Sequence, residues 1–438
     1  MPVVRGETGG LTLGGLDLGS VVRDPALGTP TYVYDLDGIA DGARALESAF
    51  AGVPHRVAYA VKANSAAPIV RVLSGAGFGA DVVSGPELSL ALGCGIPADA
   101  ILFSGVAKTD AEIDAAIAAG ARGIAAIQVE SLEELPRIAA RARALSVGRP
   151  ARISLRVNPS VDLETMQTHT HIATGHDDAK FGIPKSDVHA ALSIALASPE
   201  LSLAGLSTHV GSQLTSTRSY LDAARALFEL VGELRPTIGD SLRFVDTGGG
   251  FGIDYGDGCP VSPADFIRET RALQTAMGLS DLALYVEPGR ALVAAHGVLL
   301  ARVLQHKVSP PGPPAAARQR WLMIDAGMND LLRPALYQAR HRVVGLDGPL
   351  PSADDLPWRV VGPVCESSDD FGAHLLPGSP PQAVAILDAG AYGYTMASEY
   401  NGRPLPVEVF VRGGRVVSKT ERGTVAAWAS ERVRAGEG

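Results

Sequence analysis

Four short stretches carry residue types that can do chemistry. Lys62 sits in YAVKANS, His209 in STHVGSQ, three consecutive glycines in DTGGGFG, and Glu287 and Arg290 in EPGR. Gly248, Gly249 and Gly250, with Gly252 soon after, let backbone N–H groups approach an anion closely, and successive amides in such a turn form an anion nest. The turn Glu287-Pro288-Gly289-Arg290 adds a cation. Two such turns at neighbouring strand ends suit one phosphate, and DTGGGFG lacks the Lys-Ser/Thr of a nucleotide-binding P-loop. A lysine near a phosphate site suggests pyridoxal 5′-phosphate, because an amine made less basic by partial burial can join the cofactor's aldehyde. Glu287 could then bond the pyridine nitrogen, and His209 could stack on the ring. Taken singly, each turn also reads as a tight strand–helix connection and His209 as a core histidine. Their combination is the more specific signal.

These residues need a frame that brings them to one side. Eight apolar strand candidates, HRVAYAV, GADVV, ILFS, GIAAIQV, RISLRV, LAGLSTHV, RFVDTG and LALYVE, alternate with helix-like segments, many ending at glycine. Eight such repeats predict a (β/α)8 TIM-like barrel, with an open doubly wound sheet as the alternative. In a barrel, chemistry collects at the C-terminal strand ends, and Lys62, Ser84, Ser104, Glu130, Arg156, His209, Asp246 and Glu287 lie at or just beyond those ends. After about residue 300 the rhythm changes to strand-like pieces, RWLMIDAG, WRVVGPVC, AVAILDAG and PVEVFVRGG, without clear long helices. This predicts a mainly antiparallel β-barrel or sandwich domain. The expected division is N-terminal strands over 1–34 that pair with the β domain, a cofactor-binding barrel over 35–300, and the β domain over 301–438. The opening LTLGGLDL is expected to pair into that β domain.

Bulk properties exclude several classes. A chain of 438 residues with 46% hydrophobic and 19% charged residues can bury a large core and is not a disordered chain. Its net charge of −9 lacks the electrostatic footprint of a nucleic-acid binder. Cys94, Cys259 and Cys365 fit neither a zinc site nor a disulfide framework, which predicts reduced thiols and a cytoplasmic location. No secretory signal and no bilayer-spanning run are visible, so no membrane association is expected.

Seven stretches, YAVKANS, STHVGSQ, DTGGGFG, EPGR, DAGMNDLLRPALY, VVGPVCESSD and DAGAYGYTMASEYNGRP, resemble in order the motifs of the fold-type III pyridoxal-phosphate decarboxylases, nearest to their diaminopimelate branch. The resemblance runs from about residue 30 to about 415. DAGMNDLLRPALY separates that branch from those acting on ornithine or arginine. The resemblance implies a homodimer with shared active sites. It would convert meso-2,6-diaminopimelate to L-lysine and carbon dioxide, the last step of lysine biosynthesis. Decarboxylation of another amino acid, free or carrier-bound, is the alternative.

By the same resemblance Lys62 joins the cofactor and His209 covers its ring. Ser212, Gly250, Glu287, Pro288, Gly289, Arg290 and Tyr392 hold the cofactor. Arg290, Arg333, Tyr337, Glu366 and Tyr392 meet the small amino-acid substrate. Cys365 is the proton donor, and with Glu366 it comes from the partner subunit. A diamino diacid needs such a division, since arginines and a tyrosine suit its distal carboxylate and a carboxylate suits its distal ammonium. Ser368 stands where the family often has glycine. His169, His171 and His176 fall in a segment similar to the family's active-site loop. Their irregular spacing is read as incidental, and no metal is expected.

Overall fold

The computed structural model describes residues 3–6, 10–159, 180–309 and 319–435. The chain divides into two units, Ala40–Ile253 with Cys259–Ala291, and Met1–Ile39 with Asp254–Gly258 and Leu292–Gly438.

In the first unit, among the described residues, eight parallel strands close a barrel: His55–Ala60, Gly79–Val82, Ile101–Phe103, Ala126–Val129, Ala151–Arg156, Leu201–Ser207, Phe244–Asp246 and Ala283–Val286. They pair in chain order, and the eighth returns to the first with Leu284 opposite His55 and Val286 opposite Val57. The strand candidates read from sequence all lie in this barrel, and closure rules out the open sheet. Some of the intervening helices start on side-chain caps, such as that at Thr109, whose hydroxyl accepts from the Glu112 N–H while the Glu112 carboxylate accepts from the Thr109 N–H. One end of the barrel interior is apolar, filled by Ala58, Leu102, Ala126, Ala204 and Phe244. There Phe244 stacks on Tyr285 with centroids 4.2 Å apart. Nearer the C-terminal ends the filling becomes polar, with buried Asp81, Gln128, Ser207 and Asp246. That change of lining distinguishes the chemical end of the barrel from the end that only packs.

The second unit is built on a nine-stranded sheet. Its spine is Gly297–Val308, which pairs antiparallel with Thr31–Asp35, Arg320–Ile324 and Ala383–Ile386. Most ladders are antiparallel, but Val407–Arg412 pairs parallel with Thr31–Asp35, and Trp358–Val361 parallel with Arg320–Ile324. The stretch LTLGGLDL folds differently from expectation. Gly14 and Gly15 both take positive φ and turn Leu11–Leu13 back onto Leu16–Asp17, and with Val3–Arg5 they form a separate three-stranded sheet. The strand that joins the large sheet is Thr31–Asp35.

Glu408 lies in the strand Val407–Arg412 and is buried. Burial lifts its carboxyl from an ordinary value near 4.5 to about 7, against the opposing hydrogen bond of Tyr34. A folded-state value above the unfolded one means that the folded chain holds the proton more tightly. The stabilisation is therefore full below about 4.5 and is lost as pH rises through about 7. Glu408→Gln should remove this slope, gaining about 1–3 kcal/mol relative to wild type between acid and neutral pH. Thermal melts of both chains across pH 4–8 check this, and parallel curves would contradict it.

Candidate active site

The stretch YAVKANS places its lysine by a local device. The strand ends at Ala60 and a single tight turn, Val61–Ala63, carries Lys62. Tyr59 folds its hydroxyl over this turn and donates to the Asn64 carbonyl at 2.8 Å, while Asn64 Oδ1 accepts from the Ala66 N–H at 3.0 Å. Lys62 Nζ donates to Asp81 Oδ2 at 2.8 Å. Asp81 is fully buried, and its Oδ1 makes no hydrogen bond among the described residues. Lys108, by contrast, donates to Gly105 O at 2.6 Å, Gln128 O at 2.7 Å and Glu134 Oε1 at 3.2 Å, which uses all three of its protons structurally.

The seventh and eighth strand ends interlock through glycine. A Cβ on Gly249 would lie 2.0 Å from the Glu287 carbonyl oxygen, and one on Gly250 2.2 Å from that of Gly211. Gly289 packs against the first strand, where a Cβ would come within 2.9 Å of that of Ala63. The Ala60 N–H donates to the Pro288 carbonyl at 3.1 Å. The glycines are thus needed first to let three backbone segments approach one another. Arg290 Nη2 donates to Ser212 Oγ at 2.8 Å, putting a cation and a hydroxyl side by side at the same end of the barrel.

His209 Nδ1 accepts from the Gly249 N–H at 3.1 Å. Burial, then the positive charges of Arg156 and Lys62, keep this imidazole neutral, well below its ordinary range. Its 3.7 Å approach to Glu287 Oε2 is therefore no ion pair. Glu287 is itself pushed well above the usual carboxylate range, by burial and then by Asp246 and Asp81. Asp246 is raised to about 6, chiefly by burial, although it accepts from the Gly248 N–H at 2.9 Å and from Gln128 Nε2 at 3.1 Å. Three carboxyls crowded into one buried cluster can accommodate an added cation or protonated ring nitrogen.

The second unit holds the remaining predicted residues. Arg333 is buried at the start of a short helix, Arg333–Tyr337. Its Nη1 donates to His341 Nε2 at 2.7 Å, and its guanidinium stacks 4.9 Å from the Tyr255 ring centroid. Tyr337 is one helical turn on, at the other end of that helix. Tyr392 takes the left-handed φ of 54°, a strained position for a residue with a Cβ. Cys365 and Glu366 lie in an exposed turn between Trp358–Val361 and Asp370–His374. Asp369 is the turn's buried anchor, accepting from the Val364 and Met328 N–H groups at 2.6 Å each. Ser368 Oγ lies 3.6 Å from Met328 Sδ. His169, His171 and His176 lie outside the described residues, and no group of three potential metal ligands occurs among the described residues.

The sequence reading did not assign Asp81, Asp246 or Gln128 to the site. An acid inside the apolar run GADVV was the available signal for Asp81, since an isolated buried carboxylate demands a partner. Gln128 and Asp369 gave no comparable signal, because their roles depend on partners far along the chain.

A closed barrel with a lysine, a neutral histidine, glycine turns and a glutamate at its strand ends defines a pyridoxal-phosphate-binding barrel. The family model for the pyridoxal-dependent decarboxylase, pyridoxal binding domain, matches residues 36–294. A diaminopimelate decarboxylase from Zymomonas mobilis is 38% identical over 89% of each chain. The structure of diaminopimelate decarboxylase from Helicobacter pylori complexed with L-lysine aligns with a TM-score of 0.83 at 35% identity, covering 93% of this chain and 97% of that one. The enzyme from M. jannaschii in complex with L-lysine aligns at 0.85 with 33% identity, covering 98% of this chain and 97% of that one. The chain belongs to the diaminopimelate decarboxylase family of pyridoxal-dependent decarboxylases.

Gly249→Ala tests the interlocked strand ends. Its methyl must displace the Glu287 carbonyl, which should cost about 1–3 kcal/mol and weaken cofactor retention. Thermal melting and spectroscopic titration with pyridoxal phosphate measure both effects. Wild-type values in both would contradict the packing described.

Proposed function

We propose that this chain decarboxylates meso-2,6-diaminopimelate to L-lysine and carbon dioxide, using pyridoxal phosphate. The observation that carries the reading is the Lys62–Asp81 pair at the barrel mouth, beside a neutral His209 and the raised carboxyl of Glu287. The residues fit the cofactor chemically: an amine for its aldehyde, Ser212 and Arg290 for its phosphate, His209 for its ring face, and Glu287 for its ring nitrogen. When bound, the cofactor supplies an electron-accepting ring that stabilises the electron pair left by the departing carboxylate.

The protein's part is placement and proton handling. Asp81 holds Lys62 Nζ in place and balances its charge when it is protonated. Neutral His209 covers the ring without adding a positive charge. Arg290, Arg333 and Tyr337 bind the distal carboxylate, for which the planar guanidinium is suited to paired hydrogen bonds, and Tyr392 contacts the cofactor phosphate and the substrate. Glu366 accepts the distal ammonium. Cys365 Sγ delivers its proton to the carbon that has lost carbon dioxide, and the resulting thiolate is reprotonated from solvent.

We also infer a cytoplasmic homodimer in which each subunit lends Cys365 and Glu366 to the other. Exposed valines on the last strand and helix of the second unit, Val416, Val417, Val425 and Val433, support a covered surface there. No helix of the described residues is long and apolar enough to cross a membrane.

Purified enzyme supplied separately with the meso, LL and DD isomers should release carbon dioxide and form lysine from the meso form. No release from it would overturn the substrate assignment, and turnover of another amino acid instead would favour the alternative decarboxylase. Cys365→Ser should lower kcat about 10²–10⁴-fold while leaving cofactor absorbance intact, the usual weight of a positioned proton donor.

A further inference from the structure

The turn that carries Cys365 and Glu366 is held by a second segment with no role in the chemistry described above. Tyr400 Oη donates to Glu366 Oε1 at 2.7 Å. Asn401 Oδ1 accepts from the Cys365 N–H at 3.1 Å. Two adjacent residues thus grip the two adjacent members of the pair, one by its side chain and the other by its backbone. Asn401 does so from the left-handed region at φ 57°, a conformation that asparagine tolerates better than most residues. The hydrogen bond to Glu366 and that carboxylate's charge hold the Tyr400 phenol above its usual range, in keeping with its role as donor.

This segment is braced from behind. Gly402, at φ +68°, leaves room for the indole of Trp428 in the C-terminal helix Val425–Arg434, where a Cβ would lie 3.0 Å from the ring. Arg432 of that helix stacks on Trp428 at 4.1 Å and donates to Glu399 Oε2 at 3.0 Å. The brace therefore runs from the last helix through Glu399–Gly402 to the Cys365–Glu366 turn.

We propose that Tyr400 and Asn401 are positioning residues for the reaction: Tyr400 aims the Glu366 carboxylate at the substrate's distal ammonium, and Asn401 fixes the backbone from which the Cys365 thiol delivers its proton. The inference rests on the roles given above to Cys365 and Glu366. It separates two functions along the segment. The tyrosine acts on substrate recognition and the asparagine on the proton-transfer step.

The test is steady-state kinetics of the full-length holoenzyme with meso-diaminopimelate. Tyr400→Phe should raise KM about tenfold and leave kcat within about twofold, as expected when a hydrogen bond to a charged binding group is lost. Asn401→Gly keeps the backbone conformation but removes the acceptor, and should lower kcat about tenfold with KM within about twofold. Asn401→Asp keeps an acceptor oxygen and should recover kcat to within about threefold of wild type. As a readout independent of turnover, alkylation of Cys365 by iodoacetamide, followed by peptide mass, should quicken about threefold in Asn401→Gly as its turn loosens.

A merely structural role would lower kcat, KM performance and melting temperature together, and that pattern would overturn the proposal. If Asn401→Gly fails to fold, Tyr400→Phe and Asn401→Asp still decide, because both preserve shape. Cys365→Ser and Glu366→Gln run alongside. Wild-type kinetics in these two would bring down the reading of the pair, and this inference with it. Loss in those two with wild-type behaviour in Tyr400→Phe and Asn401→Gly would bring down this inference alone.

Discussion

A carboxylate buried inside a barrel has to be matched by charge or by protons, and Asp81 is matched by Lys62 Nζ at 2.8 Å. That requirement organises the mouth of the barrel. The lysine must leave its strand at the right point, which the Tyr59–Asn64 hydrogen bond arranges. The eighth strand must come close enough for the Pro288 carbonyl to accept from Ala60, which the glycines on both sides allow. The neighbouring carboxyls of Asp246 and Glu287 then stand in a negative, poorly hydrated setting that raises both. An amine facing that cluster and a carboxyl ready to bond a ring nitrogen follow from the same crowding.

Lys62 and Lys108 show how the setting differs from ordinary structural charge. Lys108 spends its protons on two carbonyls and Glu134, and burial lowers its basicity without giving it a reactive direction. Lys62 pairs with the Asp81 carboxylate at the strand end and remains partly exposed. Burial alone therefore does not mark a reactive amine. Position at the C-terminal end of a barrel strand, beside a charged partner, does.

Much of this was legible in the sequence. Eight apolar segments alternating with amphipathic helices specified the barrel, because a parallel strand buried on both faces leaves a short apolar run that turn residues bracket. The glycine turns, Lys62 and His209 stood out by their combination, since each alone has an ordinary structural reading. The second unit was less legible. Its sheet mixes parallel and antiparallel ladders between segments far apart in sequence, and short strands such as Val343–Gly345 and Asp370–His374 carry no periodic signal. The opening segment went to its own small sheet because Gly14 and Gly15 reverse it locally. Asp369, Tyr400 and Asn401 were hidden for a related reason. Each looks like an ordinary loop or strand-end residue until its partner is brought alongside by the fold.

The most direct measurement is borohydride reduction of the protein mixed with pyridoxal phosphate, followed by peptide mapping. The account predicts one reduced cofactor adduct, on the peptide containing Lys62, and its absence in Lys62→Ala. An adduct on Lys108 or another lysine, or none at all, would contradict it.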